Sequence, residues 1–219
     1  MTPAIIIPAF NPPDTFDHLI KSIRNETSIP IIIIDDGSSP AVKIQSTFIY
    51  VKLLRNNINK GKGYSLLKGI HYALENGYTH GITLDADSQH DPAYIPVFLS
   101  IDENISIVSG KRNFKGAMPF HRRLSNIITS NIVSFICHTK IFDSQCGYRR
   151  YNLKDVCKER YFEEGFQFET EILINLLNNK LKIFQIDIST IYSGESSSMR
   201  YIYDTLKFIR LIIRTLTKL

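Results

Sequence analysis

Three cysteines, Cys137, Cys146 and Cys157, make an odd number, and no two of them stand in Cys-x-x-Cys spacing. That argues against a disulfide framework and a thiolate zinc site, and leaves buried reduced thiols in a cytoplasmic chain as the expectation. No window holds 18 apolar residues free of charge, so no spanning helix is expected. No basic segment precedes the first apolar run, so no signal peptide is expected either. Internal repeats and low-complexity tracts are lacking. Charge of one sign does not dominate: a formal net charge of +5 suits anionic partners such as nucleotides or phospholipids without choosing among them. Basic residues are dispersed except near the C-terminus, and no nucleic-acid-binding module is recognisable, which disfavours nucleic acid as a partner.

What is present is one substantial core. With 219 residues, 43% of them hydrophobic and 21% charged, the chain is an ordinary globular length and mixture. Short, almost wholly apolar runs at residues 4–8 and 31–34 have the signature of strands buried on both faces. Each stops at a polar turn: Phe10-Asn11-Pro12-Pro13 after the first, Asp35-Asp36-Gly37-Ser38-Ser39 after the second. Asp14 is placed to cap a helix carrying Phe16, Leu19, Ile20 and Ile23. Residues 50–54 are a third strand, followed by the glycine-containing loop 56–63 and a helix burying Leu66, Leu67, Ile70, Ala73 and Leu74, closed by Asn76-Gly77. Further strands are expected at residues 105–109 and 182–188. A helix over 120–138 should bury Leu124, Ile127, Ile128, Ile132, Val133 and Ile136. Residues 143–151 carry no assignable pattern. The alternation predicts an α/β three-layer sandwich with a mostly parallel central sheet.

The chemistry gathers at residues 83–92. The apolar run Gly81-Ile82-Thr83-Leu84 ends in Asp85-Ala86-Asp87-Ser88-Gln89-His90-Asp91-Pro92. Asp91-Pro92 starts a helix, so the carboxylates leave the C-terminal end of a strand, where open α/β sheets bind ligands. Two hard oxygen ligands, with room left for phosphate oxygens, suit Mg2+ or Mn2+. Taken alone, Asp-x-Asp is better explained by turn residues; three strands ending in polar loops shift the balance towards a site.

The last helix, residues 199–219, follows a linker-like stretch at 193–198 and forms a small element of its own beside a main domain of 1–198. On a helical wheel Arg200, Lys207, Arg210, Arg214 and Lys218 share a narrow sector. Ile202, Leu206, Ile209, Ile212, Ile213 and Leu216 lie opposite. Such a helix lies in a membrane interface, or packs on the domain with its basic face in solvent.

These motifs together resemble the family-2 glycosyltransferases of the GT-A fold, and most closely the dolichol- or polyprenyl-phosphate mannosyl- and glucosyltransferase branch. The resemblance covers nearly the whole chain and continues through Gly110-Lys111-Arg112-Asn113-Phe114 and Gly165-Phe166-Gln167-Phe168-Glu169-Thr170-Glu171. It implies an inverting, metal-dependent transfer of a hexose from a nucleotide sugar of the GDP-mannose or UDP-glucose type. The acceptor implied is a polyprenyl phosphate at the membrane surface, with a saccharide or other hydroxyl in cell-envelope glycan synthesis as the alternative; a non-catalytic nucleotide-sugar-binding subunit is the third. By the same likeness Pro8, Phe10, Asn11, Asp35 and Asp36 hold the nucleotide, Asp36 accepting from its base, with Asn59, Gly61 and Lys62 alongside. Asp85, Asp87 and Gln89 hold Mg2+ or Mn2+. Arg112 faces phosphate, and Arg122 and Arg123 lie near the acceptor phosphate. Of Glu169 and Glu171, which point apart on a helix, one stands near the acceptor and the other is surface; Glu171 is preferred. The chain departs from the family pattern in having Phe10 for a frequent Tyr and Asn11-Pro12-Pro13 for Asn-Glu. It also shows no pair of membrane-spanning helices after the last helix. The location implied is cytoplasmic, with peripheral contact to the membrane through that helix.

Overall fold

A computed structural model describes residues 1–113, 120–189, 191 and 201–217. The 193–198 stretch, part of the 110–116 loop, the Arg122 side chain, Arg200 and Lys218 lie outside the described residues. In chain order the elements are β1 (Pro3–Ala9), α1 (Phe16–Glu26), β2 (Ile31–Asp35), β3 (Val51–Arg55), α2 (Lys62–Glu75) and β4 (His80–Thr83). A 3-10 turn (Pro92–Tyr94) then leads into α3 (Ile95–Ser100), β5 (Ile107–Arg112), α4 (Phe120–Ile136), β6 (Arg149–Asn152), α5 (Leu153–Cys157), α6 (Phe168–Asn178), β7 (Ile183–Ile188) and α7 (Tyr201–Leu216).

One seven-stranded sheet runs β3-β2-β1-β4-β6-β5-β7. Pairing is parallel except at β6, which is antiparallel to both β4 and β5. Because side chains alternate along a strand, the isoleucine runs of β1 and β2 serve two cores. Ala4, Ile6, Ile32 and Ile34 face the layer of α2, α5 and α6. Ile5, Ile7, Ile31 and Ile33 face α1 and α3. The expected three-layer α/β sandwich is therefore observed.

Four local expectations need correction. Thr15, not Asp14, caps α1, and no side-chain hydrogen bond forms there. The unassigned segment supplies β6, a central strand. Its arginines are fully buried, with Arg149 donating to the carbonyl oxygens of Glu169 (2.6 Å) and Ser144 (2.8 Å). Arg150 donates to those of Phe98, Ile101 and Asp102, the frayed end of α3. Third, α4 docks by a polar face. Asn126 and Ser130 are buried with Val133 and Cys137, whereas Leu124, Ile127, Ile128 and Phe135 point outward, Phe135 being 78% exposed.

Fourth, α7 packs on the domain, but turned over. Leu211 enters the core and Arg214 pairs inward with Glu171 (2.6 Å) and Glu163 (3.2 Å). Gln167 bonds the Asp204 carbonyl (3.0 Å). Leu206, Ile209, Ile213 and Leu216 are left facing out. Among the described residues no helix is long and apolar enough to cross a membrane.

Candidate active site

Parallel pairing puts the C-terminal ends of β1, β2 and β4 at one edge of the sheet, and antiparallel β6 begins there. At that edge the β1–α1 loop is locked to the β2 loop: Asn11 N–H donates to Ser38 Oγ (2.8 Å) and Asn11 Oδ1 accepts from Ser39 N–H (2.9 Å). Pro8 is buried inside β1 opposite Ile34, so it presents no surface to a ligand; Phe10 is half exposed. Asp35 is fully buried and accepts from Ser38 N–H (2.9 Å), Val42 N–H (3.1 Å) and Arg55. Burial opposes its charge, but those hydrogen bonds and Arg55 hold its pKa below the usual value.

Asp36, expected to accept from a base, is 3% exposed and bonded within the chain. Its oxygens take the Asn56 amide (2.8 Å), Lys60 N–H (2.9 Å) and Gly61 N–H (2.8 Å), so the carboxylate organises the 59–61 loop from beneath. Gly61 sits at φ 103°, and a Cβ there would strike the Glu164 carbonyl oxygen. Asn59 is exposed on that loop. Lys62, at the first turn of α2, reaches down to Asp85.

Asp85, Asp87 and Gln89 are half buried on the β4 exit loop, and Asp91 caps the next turn through Ala93 N–H (3.0 Å). Asp85 Oδ1 lies 2.7 Å from Lys62 Nζ, which also lies 3.0 Å from Glu169 Oε2. His90 Nε2 stands 3.6 Å from the other Asp85 oxygen. Burial disfavours a charged Asp85, but Lys62 and then His90 outweigh it and drive its pKa far down. Asp87 goes the other way: burial and then the Asp85 charge raise it. A cation shared between the two would relieve that repulsion, and the donor set is all hard oxygen. Among the described residues no cluster of three His, Cys, Asp or Glu side chains is assembled for a metal, so further ligands to a cation here would be amide, substrate or water oxygens.

Gly147, just ahead of β6, closes the pocket. A Cβ there would lie 2.7 Å from Glu169 Oε1, 3.0 Å from Asp85 Oδ2 and 3.1 Å from Lys62 Nζ. The preference for Glu171 is overturned by the same geometry. As i and i+2 on a helix the two glutamates point apart, and it is Glu169 that faces Asp85 and Lys62. Glu171 accepts from Phe162 and Glu163 N–H and pairs with Arg214. Neither is a surface residue: Glu169 is 5% exposed and Glu171 3%.

Arg112, at the end of β5, is gripped by the fully buried Asp143, with Nε at 2.7 Å and Nη2 at 3.0 Å. Asn126 of α4 donates to the same carboxylate at 2.7 Å. Arg123 is exposed on α4, and among the described residues no contact links it to Asp85. Sequence reasoning missed His90, Asn56, Asp143 and Gly147. His90 alone carried a signal, its place inside the acidic loop.

Residues 4–164 match the family described as Glycosyl transferase family 2. An uncharacterized protein of Methanocaldococcus jannaschii is 33% identical over 88% of this chain and 90% of its own. A UDP-N-acetylglucosamine–dolichyl-phosphate N-acetylglucosaminyltransferase of Methanococcus voltae is 29% identical over 88% of this chain and 86% of its own. Glucosyl-3-phosphoglycerate synthase from Mycobacterium tuberculosis, solved with Mn2+, UDP and glucosyl-3-phosphoglycerate, superposes with a TM-score of 0.69 at 16% identity. That superposition covers 99% of this chain and 79% of that one, and it speaks for the fold. The chain belongs to glycosyl transferase family 2 and is a glycosyltransferase of the GT-A fold.

Proposed function

We propose that the chain transfers a sugar, with inversion and with a divalent cation, from a UDP-linked donor to a polyprenyl phosphate at a membrane surface. The observation that carries the donor half is the placing of two half-buried carboxylates, Asp85 and Asp87, on the loop leaving β4 at the edge where β1 and β2 also end. Asp85, Asp87 and the Gln89 amide oxygen would hold Mg2+ or Mn2+, which when bound neutralises charge growing on the departing diphosphate. The M. voltae relative named for UDP-N-acetylglucosamine and dolichyl phosphate supports both the UDP-linked donor and the lipid acceptor.

The chain's own residues do the positioning. Asp36 stiffens the 59–61 loop beside the nucleotide, and Asp143 fixes Arg112 towards phosphate. An acceptor phosphate oxygen attacks the anomeric carbon as the bond from that carbon to the diphosphate breaks. A phosphate monoester arrives already anionic, so no base has to take its proton. A sugar hydroxyl would need a carboxylate to take its proton, and in the nucleotide-free structure Glu169 is paired with Lys62.

The outward apolar faces of α4 and α7, with Arg123 and Arg210 exposed on the same helices, fit a lipid surface bearing anionic headgroups. Both helices lie over one core layer, since Val133 and Ile136 share a cluster with Leu211. The test is incubation of labelled UDP-sugar with polyprenyl phosphate and Mn2+. Label extracted into organic solvent, and lost in Asp87→Asn, is expected. Label confined to the aqueous phase overturns the lipid acceptor.

A further inference from the structure

Lys62 is an unusual neighbour for a cation ligand. Its side chain is 15% exposed, and its ammonium lies 2.7 Å from Asp85 and 3.0 Å from Glu169, with the Gly147 backbone closing the pocket. The Phe166 ring lies 5.8 Å from Nζ. A divalent ion approaching Asp85 therefore meets a positive charge already in contact with its ligand. Both cannot share one carboxylate oxygen at contact distance without strong repulsion. The Lys62 backbone is pinned, because Gly61 N–H is tied to Asp36 and Gly63 N–H to the Glu164 carbonyl (2.7 Å). Its four-carbon stem remains free to swing.

We propose that Lys62 is a resident counter-cation that occupies Asp85 until a nucleoside diphosphate draws the ammonium away, so that nucleotide and divalent cation load together. Glu169 is then a positioning residue: it offers Lys62 a second anionic partner and so weakens its hold on Asp85. The proposal rests on reading Asp85 and Asp87 as the cation ligands of the donor site. It adds an order of events, in which the apo protein binds the cation poorly and the nucleotide unlocks it.

The experiment measures Mn2+ binding by electron paramagnetic resonance, with and without UDP or GDP, on full-length wild type, Lys62→Gln and Glu169→Gln. For wild type, nucleotide should tighten Mn2+ by about tenfold or more, the usual range of a coupled pair of sites. In Lys62→Gln, Mn2+ without nucleotide should tighten by about tenfold, and the nucleotide effect should shrink to about threefold or less. In Glu169→Gln, Mn2+ without nucleotide should weaken, because Asp85 becomes the one carboxylate left to Lys62. The opposite signs separate the idea from general damage, which weakens both. If Lys62→Gln does not fold, the sign in Glu169→Gln and the wild-type coupling decide. Unchanged or weaker nucleotide-free binding in Lys62→Gln, or no coupling in wild type, overturns the proposal and leaves the donor site standing. Failure of wild type to bind Mn2+ with any nucleotide overturns the donor-site reading itself.

Discussion

Asp85 and Asp87 stand two residues apart, yet their surroundings drive them in opposite directions. Replacing Asp87 by Asn should cost transfer at least about 100-fold, the scale of losing a charge stabiliser at a leaving group. The melting temperature should hold or rise, because repulsion with Asp85 is relieved. Steady-state rates beside a thermal melt check both halves. Asp143 offers a pH test. Burial opposes its charge, but Arg112 holds its folded pKa below the unfolded value near 4. Its stabilisation is therefore full above that pH and is lost as pH falls through the folded pKa. Asp87 and Glu171, both raised, act in the opposite sense, so the difference between wild type and Asp143→Asn is what matters. Urea unfolding should show a gap of about 3 kcal/mol at pH 7, the scale of breaking a buried ion pair, here Asp143 with Arg112, narrowing by pH 3. A gap independent of pH would refute the assignment.

At the level of elements, α7 is tied down by charge as much as by oil. Removing Arg214 leaves Glu171 buried without its cation, and Arg214→Ala should destabilise by about 3 kcal/mol. Amide exchange should quicken first in α7, and Glu171→Gln with Arg214→Met should recover part of the loss. The two amphipathic helices also mark where sequence reasoning stops. The periodicity of α4 and α7 was real and identified which residues share a face. It could not say which face turns inward, because Asn126, Ser130 and Arg214 find their polar partners on distant segments. β6 was illegible for a related reason: Arg149-Arg150-Tyr151-Asn152 looks like a loop until main-chain carbonyl oxygens accept from the terminal nitrogens of its guanidiniums. β1 and β2 were legible because their isoleucines need no partner beyond apolar contact. The acidic loop was legible because a strand end, two carboxylates and Asp-Pro are all local. The Glu169 and Glu171 choice was not, since it depends on how α6 is rotated against α2.

Across the whole molecule, the donor end and the outward helix faces should be separable by experiment. UDP with Mn2+ should raise the melting temperature by simple linkage, about 2.7 kcal/mol of stabilisation at a hundredfold excess over Kd. Ile128→Ser with Phe135→Ser on α4, or Leu206→Ser with Ile213→Ser on α7, should leave that shift intact. Unfolding free energies should stay within about 1 kcal/mol of wild type, as for exposed substitutions. Flotation with anionic vesicles should fall by about fivefold or more as buried apolar area is lost. Unchanged flotation would remove the membrane from the account.

β6 has one more consequence, which concerns distance. By entering the sheet between β4 and β5 it moves the strand bearing Arg112 away from the strand that leads to Asp85. Two strand spacings of roughly 4.8 Å each set those exits about 10 Å apart. The reversed strand is thus a spacer. It keeps an acidic bank and a basic one apart at the edge of the sheet by about the length of a sugar ring with a phosphate attached.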